Sequence, residues 1–137
     1  MRKIVFLFVL AAVFCSCTPV KKRGQFLVGK WNFEKMDAPV LESQLSATEN
    51  ERVEMMEKMM QGMSYEFFED KTFRMQAKTM MGNGGKNGHY ALTQDGAAIQ
   101  LTKESNGKEK RMNISVLTSD SLVLEENGVK LIFLKAK

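Results

Sequence analysis

This sequence is poor in the residues that most often carry chemistry. Its 137 residues include one histidine, His89, and two cysteines, Cys15 and Cys17. With one imidazole, few Ser/His/Asp arrangements are possible, and His89 has no Cys or Asp cluster with which to build a zinc site. No charge of one sign dominates either. There are 20 basic and 16 acidic residues. Loss of Arg2 and Lys3 with a leader leaves 18 against 16, a net charge of +2. That balance lacks the electrostatic footprint of a nucleic-acid binder. No apolar run is long enough to cross a bilayer, which needs about 20 residues as a helix. The run Ile4 to Phe14 stops at eleven. The glycine-rich stretch Gly82-Asn-Gly-Gly-Lys-Asn-Gly88 lacks the strand-to-helix setting of a phosphate loop and reads as a long hairpin loop. No cofactor is implied.

What is present begins with an export signal. Arg2 and Lys3 precede the apolar run, and small residues and cysteines follow it, as in a signal peptide. Phe14-Cys15-Ser16-Cys17 resembles the lipobox of bacterial lipoproteins. Ser16 fits the small residue before the cleavage point and Cys17 the residue that receives the lipid, while Phe14 stands where Leu is usual. The resemblance implies a lipoprotein signal peptide over 1–16 and a lipidated Cys17 with a polar tether over 17–25. The expected location is the envelope of a Gram-negative bacterium, anchored on the periplasmic side of the outer membrane. The partner there is the membrane itself, held through the anchor. The alternative is a plain secretory signal that leaves Cys17 a free thiol. Lys21-Lys22-Arg23 follows as a solvated tether or a contact for lipid headgroups.

The mature chain then alternates. Phe26 to Met36 places Leu27, Gly29, Trp31 and Phe33 on one face of a strand, with Lys30, Asn32 and Glu34 on the other. Asp37-Ala-Pro39 stops it. Ser46 to Gly62 is the one strong helical segment. Ser46 or Thr48 suits its N-cap, Glu49 and Glu51 suit its first turn, and Gly62 suits its stop. Val53, Met56, Met60 and Met63 recur at helical spacing, flanked by Met55 and Met59. From Ser64 the period is two. Tyr65-Phe67, Phe73-Met75-Ala77, Tyr90-Leu92, Ile99-Leu101, Met112-Ile114-Val116, Leu122-Leu124 and Val129-Leu131-Phe133 predict seven short strands. Glu69-Asp70, Asp95-Gly96, Asn106-Gly107, 118–121 and Asn127-Gly128 are turn signals between them. One strand before the helix and seven after it are enough to close an antiparallel barrel.

Gly29-Lys30-Trp31 at the start of an up-and-down meander, after a lipobox and a tether, resembles the lipocalin-like (calycin) group. It is similar to small lipocalin-like lipoproteins of Gram-negative bacteria, with Leu27 to Trp31 as their Leu-x-Gly-x-Trp strand. The resemblance implies an all-β fold with one helix: an eight-stranded antiparallel up-and-down barrel over 26–137, its helix between the first two strands. It also implies a basic residue on the last strand packed across the Trp. Lys135 matches that place, where Arg is more usual.

The resemblance further implies a barrel suited to a small hydrophobic ligand. The candidate lining is Trp31, Phe33, Tyr65, Phe67, Phe73, Met75, Tyr90 and Met112. These side chains either line a pocket or fill the barrel. Met56, Met59, Met60 and Met63 form a flexible lid, a plain packing face or a soft Cu(I) site. Without a ligand the chain is a solid-barrel structural or interaction lipoprotein. An enzyme needs a buried pair of titratable groups, and the alternation supplies none, so catalysis is not expected.

Overall fold

The computed structural model describes residues 20–38, 47–79 and 81–137. The signal peptide, the lipobox with Cys17, Pro39, Ser46 and Met80 lie outside the described residues. The elements in order are α1 (Val20–Leu27), β1 (Gly29–Asp37), α2 (Ala47–Met60), β2 (Ser64–Phe67), β3 (Thr72–Thr79), β4 (Gly82–Leu92), β5 (Ala98–Lys103), β6 (Glu109–Leu117), β7 (Ser121–Glu126) and β8 (Val129–Lys135). Each strand pairs with the next, and β8 returns to β1, so the eight antiparallel strands form a closed barrel. Closure leaves no long unpaired edge.

The predicted alternation generates this barrel. Trp31, Phe33, Phe67, Phe73, Tyr90, Ile99, Leu101, Met112, Ile114, Leu122, Leu124 and Phe133 are buried, and most of their strand neighbours are half-buried or exposed, Ala98 excepted. Two bulges change the parity. One lies between Phe33 and Lys35. Beyond it Met36, not Lys35, packs on the core. The other lies between Ile114 and Val116. It turns Val116, predicted to face inward, to 41% exposure and brings Leu117 onto the core instead. A bulge inserts one residue and so reverses which side chains face in.

Two further expectations differ. Val20–Leu27 is a helix, not an extended tether running into the strand. Its Lys, Arg, Gln and Leu residues favour helix, and it gains the burial of Gly24 and Leu27 at the barrel end. The glycine-rich stretch is strand: Gly82–Leu92 pairs with β3 from Thr79↔Gly82 to Thr72↔His89. β3 offers a complete row of backbone partners, which outweighs the poor strand preference of glycine. The pair Thr79↔Gly82 is the last of this hairpin.

Of the three Asp-Gly and Asn-Gly turn signals, one forms a tight hairpin with positive φ at both residues. Asn127 (φ 52°) and Gly128 (φ 78°) both have positive φ and join β7 to β8 as a two-residue hairpin. Gly96 and Gly107 have positive φ in longer loops.

The two helices mark opposite ends of the barrel. At the α1 end, Trp31 is fully buried. Its Nε1 donates to the Leu27 carbonyl at 2.7 Å, which ties α1 to β1. Lys135 Nζ stands 5.0 Å from the Trp31 ring centroid and donates to the Phe26 carbonyl at 3.1 Å. Gly29 has φ 131°, and a Cβ there would lie 2.6 Å from Lys135 Cε. Glycine thus gives Lys135 its path across the indole. At the other end α2 lies against β1 and β3. Gly62 (φ 83°) ends α2, and the Met63 N–H bonds the Met60 carbonyl at 2.9 Å.

Candidate functional site

The barrel interior is divided. Its middle is a stack of rings. Phe67 meets Tyr90 at 5.0 Å, Tyr65 meets Phe133 at 5.6 Å, and Phe33 meets Phe133 and Tyr65 meets Phe67 at 5.8 Å. These edge and stacked contacts fix ring positions as well as excluding water. Trp31, Phe33, Phe67, Tyr90 and Met112 all belong to this packed core. The Tyr90 hydroxyl is spent on the Phe68 carbonyl at 2.7 Å.

Beneath α2 the packing opens. A cavity of about 200 Å³ is lined by Met60, Met63, Tyr65, Phe73, Met75, Leu101 and Leu131, and by Lys86, Lys103 and Lys110. Of the sequence-predicted lining, the fold brings Tyr65, Phe73 and Met75 together here. Of the helix methionines it brings Met60 and Met63. Met56 and Met59 turn to solvent at 55% and 63% exposure.

The three lysines come from neighbouring strands. Gly88 pairs with Lys103 and Leu101 with Lys110, so Lys86 and Lys110 are each diagonal neighbours of Lys103 on one face. Such diagonals span about 7–8 Å between Cα atoms. Lys110 Nζ is bonded to Glu126 Oε2 at 2.9 Å. Among the described residues, Lys86 and Lys103 have no carboxylate partner. The Lys103 ammonium is held below the usual lysine range, first by the Lys86 charge and more weakly by Lys110. Tyr65 is 7% exposed. Burial, with the Glu126 carboxylate adding to it, pushes its phenol up to about 12. It therefore stays a neutral hydroxyl that can donate a hydrogen bond.

Sequence reasoning found no polar group facing inward and missed the lysines. Lys86 sat in a stretch read as loop, where it had no face. Lys103 and Lys110 were within reach of the alternation: Ile99 and Leu101 extend to Lys103, and Met112 extends back to Lys110. Among the described residues no cluster of His, Cys, Asp and Glu is placed to hold a metal ion, and no helix is long and apolar enough to cross a membrane.

Comparison with known proteins agrees with this architecture. A lipocalin-like protein from Bacteroides uniformis has a crystal structure similar to this chain, with a TM-score of 0.57 and 20% identity over 81% of this chain and 99% of that one. An uncharacterised protein from Bacteroides eggerthii has a TM-score of 0.57 and 18% identity over 80% and 99% of the two chains. A second Bacteroides uniformis protein, solved by NMR, has a TM-score of 0.53 and 21% identity over 83% and 92%. At these identities the likeness is one of fold. No curated protein matches the chain. The model of the lipocalin-like domain matches residues 27–124, most of the barrel, and the chain belongs to the lipocalin-like domain family.

Proposed function

We propose that this protein is a lipid-anchored lipocalin-like barrel that binds a small hydrophobic molecule beneath α2. The observation that carries this reading is the cavity lined by Met60, Met63, Tyr65, Phe73, Met75, Leu101 and Leu131. A concave, mostly apolar lining with a few polar groups is the usual chemistry of a small-molecule site. Its volume of about 200 Å³ is below the roughly 300–1,000 Å³ of pockets for drug-sized ligands. The ligand is accordingly a short chain or a single ring. Methionines at its lid suit it to more than one shape. The role is binding and not catalysis.

Anchoring belongs to the same proposal. Its support is the leader followed by Ser16-Cys17. The lipid on Cys17 holds the barrel to the periplasmic face of the outer membrane of a Gram-negative cell. Membrane fractionation with labelled palmitate tests this: the protein incorporates label and sediments with the membrane, and Cys17→Ala abolishes both. A Cys17→Ala protein that stays membrane-bound overturns it.

Native mass spectrometry of the protein extracted from its membrane tests ligand binding, with a bound small molecule expected. The second reading, a solid barrel that meets other proteins, is favoured by the rings that fill the middle of the interior. It gains if the barrel is empty and takes up no apolar probe.

A further inference from the structure

The mouth of the cavity carries a charge that a purely apolar ligand leaves unused. Lys86, Lys103 and Lys110 line the cavity alongside the apolar side chains, with Glu126 engaged by Lys110. Three ammonium groups thus face one carboxylate at the opening. An unpartnered lysine on an outer strand face is solvated at no cost. Here two of them lie on the inner face, adjacent to one another, Lys86 exposed and Lys103 partly exposed. Their mutual repulsion is what holds the Lys103 charge below its usual range. A bound anion relieves that repulsion. Tyr65, from β2, lines the same cavity; its neutral hydroxyl makes no hydrogen bond to another described residue and offers one more donor.

We propose that the ligand is a free anionic amphiphile: a short apolar chain seated between Met63, Phe73, Met75 and Leu101, with its negative head on Lys86 and Lys103 and within reach of the Tyr65 hydroxyl. This rests on the hydrophobic-ligand reading above and narrows it. Length and charge act separately. The cavity sets the chain, and Lys86 within β4 and Lys103 at the end of β5 set the head. The head stays near water, so the site selects for charge without burying it unpaired.

The test uses the full-length protein in phosphatidylcholine nanodiscs, with empty discs as reference, and isothermal titration with octanoate, octyl phosphate, octanol and octylammonium. Octanoate and octyl phosphate bind about tenfold more tightly than octanol, as two partly exposed charge contacts predict, and octylammonium does not bind. In the K86Q/K103Q protein the preference for octanoate falls to about twofold or less, while octanol binds as before. Circular dichroism confirms that this protein is folded. Lys108→Gln, an exposed lysine in the β5–β6 turn, leaves the preference intact. Equal binding of octanoate and octanol, or a preference that survives K86Q/K103Q, overturns the anionic head and leaves hydrophobic binding standing. Failure of all four probes overturns both. Loss of octanoate binding when phosphatidylglycerol is added to the discs assigns the lysines to a membrane lipid and overturns the free amphiphile.

Discussion

Single residues decide the geometry of this barrel where two atoms compete for one place. Gly88 is buried on β4, opposite Phe73 of β3 and Lys103 of β5. A Cβ there would overlap the Thr102 carbonyl oxygen and lie 2.9 Å from Phe73 Cε1. Backbone cannot give way as a flexible side chain does. Gly88→Ala is therefore expected to destabilise the protein by about 2 kcal/mol or more. Gly84 lies in the same strand, where a Cβ would meet Thr79 Cγ2 at an ordinary 3.4 Å. Gly84→Ala stays within about 0.5 kcal/mol of the parent. Urea denaturation of the two variants checks the contrast. The tyrosines give a second prediction. Tyr65 and Tyr90 are the two in the chain, and burial raises both phenols, Tyr65 to about 12. The unfolded chain releases these protons near pH 10 and the folded one later. Stability from this source is complete below about pH 10 and is lost as pH rises through the folded values. Phenolate absorbance in the folded protein should appear later than in urea. A midpoint near 10 with native circular dichroism contradicts this.

Elements show how a weak local pattern is settled by what lies across from it. Met55, Met56, Met59 and Met60 of α2 share one broad side of the helix, so periodicity alone could not choose which edge of that side is buried. Contact with β1 and β3 chose it: Met63 is buried just past the helix, Met60 is half-buried, and Met55, Met56 and Met59 are exposed. Met63→Ala is expected to cost about 2–4 kcal/mol. Met59→Ala, at an exposed position, changes stability by less than about 0.5 kcal/mol. Thermal unfolding of each variant measures both. A large loss in Met59→Ala would show that α2 docks through a different face. The same logic explains β4. Its glycines carry no strand signal, yet the side-chain-rich β3 beside it supplies eight paired positions from Thr72 to Thr79. A loop was the natural reading of residues 82–88 alone, and it removed Lys86 from the inner face.

At the scale of the whole molecule, the seam between β1 and β8 turns a meander into a barrel. It joins residues about a hundred positions apart, from Trp31↔Lys135 to Asp37↔Lys130. The seam is backed on the inside by Trp31, Phe33 and Phe133, all buried. Burying one indole removes roughly 150–250 Å² from water, worth about 4–6 kcal/mol before entropy. The seam should then open only when the core opens. In hydrogen exchange, the amides of β1 and β8 around Trp31 and Phe133 are expected to be protected to within about 1 kcal/mol of the most protected residues in β5 and β7. Fast exchange confined to the seam would mean a sheet that opens at one edge.

Taken alone, the sequence determined the class of fold, because side-chain alternation and turn chemistry are local. Period two from Tyr65 to Phe133, with positive-φ signals such as Asn127-Gly128, counts the strands without knowledge of their neighbours. It also determined the Gly29-Lys30-Trp31 start and the place of Lys135. Tertiary structure alone decided what depends on atoms distant in the chain. Bulges in β1 and β6 reversed the faces of Met36 and of Val116 and Leu117. Docking at the barrel end made a helix of Val20–Leu27. Pairing with β3 drew the glycines into a strand and brought Lys86 beside Lys103 and Lys110. Backbone hydrogen bonds and packing between strands have no signature within either strand by itself, so the lysine cluster exists only once β4, β5 and β6 have paired.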